Sequence, residues 1–539
     1  MVKRSINYFG SKLSQKRGKG KMSLIAAYLI TFVASFCTLV IEIVAGRILA
    51  PFVGVSIYTW TSIIGVILAG ISIGAYIGGK LADRFPSRKT LSILLLLSGF
   101  TALTIVPLTN IIASYKFPLS LMMRIFVVTS IIFFVPSCIL GTISPVVVRL
   151  ALKNLEGAGG VVGKIYAFST LGAIIGTYVT GFFLISFMGT RNIVFVVGLI
   201  LLISAFFVGT IFRRRTSEAI FVLALIPTLI YSYKYLYRLD LRQDVYLFRE
   251  SDYYTIKLCK SKSSDGKTDL EALVLDNLIH SYVCKENPLH IEYEYERIYA
   301  DVLKWKYRRN DRFKTLTIGG GGYTFPRYME VYYPNAQIDV VEIDPEVTKV
   351  VYEHLGLPKE TRIKTYNTDG RWYVMNCSEK YDIVFLDAYN DLTVPYHLTT
   401  REFLSEIKEI MTEDGILLSN IIDNFQKGEF LPSYIRTLKS VFGEDRVFLL
   451  SVSPNFENLR ISTFIVIATK GKLDIKAFDR YVTSHRLKGR AVTVVVPENL
   501  VGRMLRDRRT LTITDDYAPI DNLIAPVFEE RFGYNRKEG

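Results

Sequence analysis

The sequence predicts two parts of different class: an α-helical membrane bundle of six or seven spans, then a β-hairpin region leading into a doubly wound α/β domain. Three observations carry this reading. Half of the 539 residues are hydrophobic and only 21% are charged, a balance that excludes a disordered chain and is unusual for a soluble one. The apolar excess is confined to roughly the first 235 residues, and the chain is too long for one ordinary core. From Thr315 onward the pattern turns to strand, Gly-rich turn, helix, strand, the signature of a doubly wound sheet. The divisions are a basic N-terminus (1–22), a transmembrane domain (23–238), a β-hairpin region with a linking helix (245–305) and the α/β domain (306–539).

A span needs about 20 apolar residues. Six segments qualify, near 24–45, 58–79, 90–113, 121–143, 163–188 and 192–212. A seventh, 218–236, is shorter and ends in Tyr231, Tyr233, Lys234, Tyr235, Tyr237 and Arg238, a mix suited to an interfacial anchor. Lys and Arg crowd the N-terminus, the loops Lys80–Lys89 and Arg149–Lys153, and Arg213–Arg215. The positive-inside rule therefore puts the N-terminus and the end of the sixth span in the cytoplasm. Gly79-Lys-Leu-Ala-Asp-Arg-Phe-Pro-Ser-Arg-Lys89 resembles the loop between spans two and three of major facilitator transporters. Six spans would be half of such a transporter, so the bundle reads either as an anchor or homo-oligomerisation platform in the lipid bilayer, or as a binding site for a polyamine-like solute. Glu42, near the end of the first span, is its candidate functional acid; pairing with Arg47 is the alternative.

The net charge, 65 Lys and Arg against 50 Asp and Glu, is +15. Much of it lies in loops between spans, so it is a topology signal and not a nucleic-acid footprint. The cluster Arg503, Arg506, Arg508 and Arg509 reads as a solvated or membrane-facing surface. Five cysteines at unrelated spacings imply neither a metal site nor a disulfide framework.

In the soluble half, Tyr254–Leu258, a turn through Ser264-Asp-Gly266 and Ala272–Asp276 predict a hairpin, followed by a helix from about Tyr293 to Trp305. The run Leu316-Thr-Ile-Gly-Gly-Gly-Gly-Tyr323 lies between a strand and a helix beginning near Pro326. Gly319, Gly320 and Gly321 would let the backbone approach a ligand closely. The next strand, Ile338–Asp344, delivers Glu342, placed to accept hydrogen bonds from ribose hydroxyls, while Asp344 caps the helix starting at Pro345. After a short strand (362–366), Asp369-Gly370 can receive an adenine, or Asp369 can cap a helix. The strand Tyr381–Asp387 delivers Asp387 to its carboxyl end, where open α/β sheets bind ligands. No second Gly-x-Gly pattern is present, which favours an adenosine-type ligand over a dinucleotide. His354 and His397 read as helix-end or loop residues.

Residues 245–445 resemble the spermidine synthase (polyamine aminopropyltransferase) family, whose domain is Rossmann-like and methyltransferase-type. The pieces are Leu275-Asp276, Ile318-Gly-Gly-Gly321, Val341-Glu-Ile-Asp344, Asp369-Gly-Arg371, Leu386-Asp-Ala-Tyr-Asn-Asp391, Leu398-Thr-Thr-Arg-Glu-Phe403 and Asp414-Gly415. Thr514-Asp-Asp-Tyr-Ala-Pro519 and the apolar half are similar to a membrane-fused subgroup. The resemblance implies transfer of an aminopropyl group from decarboxylated S-adenosylmethionine, a co-substrate and not a permanent cofactor, to a polyamine such as putrescine. It implies ribose binding by Glu342, adenine binding by Asp369 and Gly370, and a catalytic aspartate at Asp387 that takes or relays the amine proton; no metal is needed. Tyr254, on the cofactor side, and His280 replace glutamines, Gly322 replaces an acid, and Asn390 with Asp391 replaces the second acid after the fourth strand. The family's Tyr-His-Glu helix start falls at His290 by ungapped counting and at Tyr295-Glu296 by helical pattern, so His290 and Glu296 are both substrate-side candidates. The implied location is the cell membrane, with the soluble domain on the cytoplasmic side because its substrates are cytosolic; a seventh full crossing would place it outside. A methyltransferase using intact S-adenosylmethionine, and a non-catalytic nucleotide or polyamine sensor, are the alternatives.

Overall fold

The computed structural model describes residues 22–54, 56–113, 121–152, 157–208, 245–276, 278–388, 395–459, 461–489 and 491–532, with single positions at 119, 227 and 230. The chain forms two compact units, the second starting at Arg242. The predicted basic N-terminus up to Lys21, the cluster Arg213–Arg215, nearly all of the segment 218–236, and Asn390 and Asp391 lie outside the described residues.

Among its described residues the first unit contains six helices long and apolar enough to cross a membrane: Leu24–Ala50, Ile57–Arg84, Arg88–Ile112, Met122–Ala151, Ala158–Met188 and Thr190–Val208. They match the six predicted segments. Small residues let the first and fifth pack closely: a Cβ on Gly172 would lie 2.3 Å from the Phe32 carbonyl oxygen. Most of the predicted loop from Gly79 is helical through Arg84, leaving Phe85–Ser87 as the connection. Asp83 there faces Arg149 at 3.9 Å, which joins the two basic loops predicted for one side. Glu42 is half-buried in the first helix.

The second unit opens with four antiparallel strands in simple order: β1 (Val245–Glu250), β2 (Thr255–Lys262), β3 (Asp269–Leu275) and β4 (Leu278–Val283). The predicted hairpin is thus the centre of a meander. Its outer strands escape prediction because their alternation is weak: β1 has no fully buried residue. Helix α1 (Glu294–Lys306) follows and turns Ile298, Tyr299, Val302 and Leu303 inward.

The main sheet has the order β12-β10-β11-β9-β8-β5-β6-β7. Its parallel part comprises β5 (Lys314–Ile318), β6 (Gln337–Val341), β7 (Lys364–Tyr366), β8 (Tyr381–Leu386) and β9 (Met411–Asp423). The strands β10 (Val447–Ser451), β11 (Ser462–Thr469) and β12 (Val494–Val495) are joined antiparallel. Helices α2 (Thr324–Tyr332), α3 (Pro345–His354), α4 (Gly370–Asn376) and α5 (Arg401–Glu409) connect the parallel strands. Parallel strands covered on both faces read as unbroken apolar runs, as Ile383–Leu386 does. The strand order reverses between β5 and β8, so the crevice beyond their carboxyl ends is the expected ligand position. The meander, predicted as a separate region, shares one core with this sheet: Leu258, Leu273, Tyr299, Phe325, Ile338 and Phe385 belong to the same cluster. The Tyr299 ring sits 4.8 Å from Phe385 and 5.3 Å from Phe325.

Candidate active site

The crevice begins with the turn after β5. The Asp387 N–H donates to the Ile318 carbonyl at 2.9 Å, and the Gly319 N–H to the Val341 carbonyl at 2.8 Å, so three strand ends are stitched together. Gly319 is required twice over. Its φ is +101°, and a Cβ there would lie 2.3 Å from the Asp387 carbonyl oxygen. The Gly320 and Gly321 N–H groups donate to Glu342 Oε2 at 2.8 and 3.2 Å, and the Asp344 N–H donates to Oε1 at 3.0 Å. Glu342 therefore latches the glycine turn to the end of β6. Three of its roughly four acceptor positions are used, leaving room for one ligand hydroxyl. Burial pushes its carboxyl up, opposed by these N–H groups.

The meander is tied to the same turn. Ser281 Oγ accepts from the Gly322 N–H at 2.8 Å, and the Ser251 hydroxyl donates to Asp344. Asp344 also caps α3, accepting from the Glu346 N–H at 2.9 Å, as its place before Pro345 predicts. Helix α2 starts at Thr324, two residues before Pro326. Tyr323 takes the left-handed conformation before it, with its hydroxyl 3.2 Å from Thr348 Oγ1.

Asp369 combines the two roles weighed for it. Its Oδ1 accepts from the Arg371 and Trp372 N–H groups, both at 2.9 Å, capping α4, while Oδ2 lies 2.9 Å from His397 Nε2. Burial raises this carboxyl, but the helix N–H groups and His397 outweigh it and hold it below the usual range. Arg371 is structural: it bridges Asp515 at 2.7 and 2.8 Å and Glu406 at 3.1 and 3.0 Å. That double fork fixes the Thr514-Asp515 segment beside α4.

Asp387 closes the opposite wall. Its Oδ1 accepts from Asn420 Nδ2 at 2.7 Å, and the Tyr295 hydroxyl also hydrogen-bonds it. Burial pushes its carboxyl up to about 6 against these two donors. Glu296, on α1, is 5% exposed. One of its oxygens accepts from the Phe325 N–H, and its Oε2 has no hydrogen-bond partner among the described residues. Burial first, and then the Asp387 charge, raise it well above the ordinary carboxylate range.

A single cavity of about 320 Å³ brings together Tyr254, Glu296, Gly319, Gly320, Gly321, Glu342, Asp369, Gly370 and Asp387. His290 is not among its lining residues; its Nε2 lies 2.9 Å from Glu292, which accepts from Ser264. Of the two positions allowed for the helix-start motif, only Tyr295-Glu296 reaches the cavity. Sequence reasoning missed Asn420, which β9 carries beside β8, and it set aside His397, which lines the cavity against Asp369. Asn420 has no local motif. His397 stands after Pro395 in a short 3₁₀ turn, a signal for a loop and not for a partner. The described lining residues include four carboxyl groups, Glu296, Glu342, Asp369 and Asp387, and no Lys or Arg.

A glycine turn after the first parallel strand, an acid after the second and a buried carboxyl after the fourth, all at the reversal of strand order, define an α/β domain of nucleotide-binding architecture. More particularly, the C-terminal region carries a spermine/spermidine synthase domain, matched over residues 301–477. The chain is 34% identical over 134 residues to a polyamine aminopropyltransferase of Vibrio vulnificus, covering 24% of this chain and 44% of that protein. It is 25% identical over 469 residues to polyamine aminopropyltransferase 2 of Aquifex aeolicus, covering 81% of this chain and 90% of that one. The chain thus spans less than half of the first relative's length, whereas the second match extends into the apolar unit. A crystal structure of a probable spermidine synthase from Corynebacterium glutamicum aligns at 20% identity with a TM-score of 0.41, over 49% of this chain and 94% of that one. These relatives are consistent with a transferase.

Proposed function

We propose that the protein is a membrane-anchored aminopropyltransferase, moving an aminopropyl group from decarboxylated S-adenosylmethionine to a polyamine such as putrescine and releasing methylthioadenosine. The observation that carries the reading is the cavity's charge: four carboxyl groups and no Lys or Arg among the described lining residues, within a spermine/spermidine synthase domain. Both proposed substrates are cations, a sulfonium and an ammonium, and a buried acidic cavity favours them. Intact S-adenosylmethionine would bring a carboxylate with no Lys or Arg among the described lining residues to meet it, which favours the decarboxylated donor over a methyl donor.

In this reading Glu342 receives the ribose, Gly319–Gly321 approach the donor, and Asp369 with Gly370 borders the adenine. Tyr254 covers the cofactor side. Asp387, oriented by Asn420 and Tyr295, holds the amine's positive charge beside the sulfonium carbon. Asn390 and Asp391 extend the substrate side as proposals from sequence alone. Methylthioadenosine leaves as a neutral molecule, so alignment of nitrogen, carbon and sulfur supplies much of the rate. Six apolar helices support anchoring in a bilayer, and the basic loops with cytosolic substrates favour the cytoplasmic side for the second unit.

Calorimetric titration of the full-length protein in detergent with each donor tests the reading. Binding of decarboxylated S-adenosylmethionine at least about tenfold tighter than the intact form is expected, a difference of ~1.4 kcal/mol. Equal affinity, or tighter binding of the intact form, contradicts it and favours methyl transfer.

A further inference from the structure

Asp369 has an oxygen that its helix does not need. Oδ1 alone accepts from the Arg371 and Trp372 N–H groups, both at 2.9 Å, and so caps α4. Oδ2 is left over on a residue that lines the cavity, and His397 Nε2 lies 2.9 Å from it. The carboxyl is held below the usual range and is ionised at neutral pH, so the hydrogen between the two belongs to Nε2 and the histidine donates. Several contacts keep His397 in place. It stands in the 3₁₀ turn Tyr396–Leu398, which the Thr399 hydroxyl closes by donating to the Tyr396 carbonyl at 2.7 Å. Leu398 is buried against the first residue of α4: a Cβ on Gly370 would lie 3.6 Å from its Cδ2. Arg371, bridged to Asp515, also reaches the His397 carbonyl at 3.5 Å.

We propose that His397 is a positioning residue for base recognition: by donating to Asp369 Oδ2 it fixes that oxygen to receive one N–H of a purine 6-amino group, and so sets the preference for adenine. The proposal rests on the aminopropyltransferase reading, in which Asp369 borders the adenine. A carboxylate oxygen takes about two hydrogen bonds. With His397 on one side, Oδ2 has a single acceptor position left, which one exocyclic N–H fills. A purine without the amino group leaves that position unfilled, at the cost of an unpaired acceptor beside the base. A 6-oxo purine sets a carbonyl oxygen against the same carboxylate and is repelled. Once the imidazole is removed, water reaches both positions on Oδ2, and the amino group only replaces one partner with another. His397 acts through Asp369 at the nucleotide end and leaves the role of Asp387 untouched.

Calorimetric titration of the full-length protein in detergent tests this with two neutral probes: methylthioadenosine, and its analogue lacking the 6-amino group. Wild type should bind methylthioadenosine about tenfold or more tighter, the effect of one hydrogen bond to a charged group. In His397→Phe, which keeps a ring and has no donor, that ratio should fall to within about threefold, with the loss confined to methylthioadenosine. In His397→Gln, whose amide supplies a donor, it should stay above about fivefold. An unchanged ratio in H397F overturns the proposal, and so does a ratio kept in H397F and lost in H397Q, because the ring then packs and does not position. Equal weakening of both probes in both variants, the mark of a purely structural role, overturns it as well. A wild-type protein that binds neither probe, or shows no preference between them, fails earlier: it overturns the adenine role of Asp369, and the functional reading with it.

Discussion

The two halves of the cavity are built differently. The half proposed to take the nucleotide is made of strand ends and backbone: Gly319 against the Asp387 carbonyl, and the N–H groups of Gly320, Gly321 and Asp344 on one carboxylate. The half proposed to take the amine is made of side chains from α1, the end of β8 and β9, meeting as Tyr295, Glu296, Asp387 and Asn420. The first is stabilised by the same hydrogen bonds that join the sheet. The second concentrates buried acids whose ionisation the fold opposes. In the proposed reading the hydrogen-bonded half binds and the half with the destabilised acids reacts, since chemistry needs groups that the fold leaves poised.

The sharpest way to break this division is Asp387→Asn. Turnover should fall about 10³-fold, equivalent to ~4 kcal/mol, while donor affinity stays within about threefold. Rapid-quench turnover and calorimetry on the same preparation check both halves; unchanged turnover removes the role given to Asp387. The same variant carries a stability signature. The folded-state value of Asp387 is raised from 3.8 to about 6. Its contribution is therefore fully present at low pH and is lost as pH rises through about 6. The cost is ~3 kcal/mol by linkage, so D387N should gain stability relative to wild type between about pH 4 and pH 6, read by thermal unfolding.

Gly319→Ala attacks the other half. The new Cβ meets a carbonyl oxygen at 2.3 Å with φ at +101°, a strain of ~1–3 kcal/mol. Donor affinity should fall by about tenfold or more, with the acceptor Michaelis constant moving less. The smallest effect marks the border of the site. His290→Gln should change turnover less than about twofold, because His290 faces Glu292 outside the cavity; a tenfold loss would return it to the substrate side.

The same division explains what was legible in the sequence. Gly319–Gly321, Glu342, Asp369 and Asp387 were readable because each follows a strand, and a doubly wound sheet gathers strand ends in one crevice. Asp344 was readable from Pro345 alone. Asn420 was not, because its partner lies 33 residues away and only the adjacency of β8 and β9 unites them. The Glu296 position depended on choosing between two registers, which the buried face of α1 decides. The meander's outer strands were missed because half-buried strands carry little period-two contrast. His397 was set aside because a histidine in a loop reveals nothing of a partner brought by another strand.

Product analysis by mass spectrometry on the purified full-length protein tests the central claim most directly. Decarboxylated and intact S-adenosylmethionine are supplied separately, each with putrescine, cadaverine, spermidine and agmatine. The account predicts an added aminopropyl group on one of these amines, with an equal amount of methylthioadenosine, from the decarboxylated donor alone. Methylated product from the intact donor, or donor binding without any product, would contradict it.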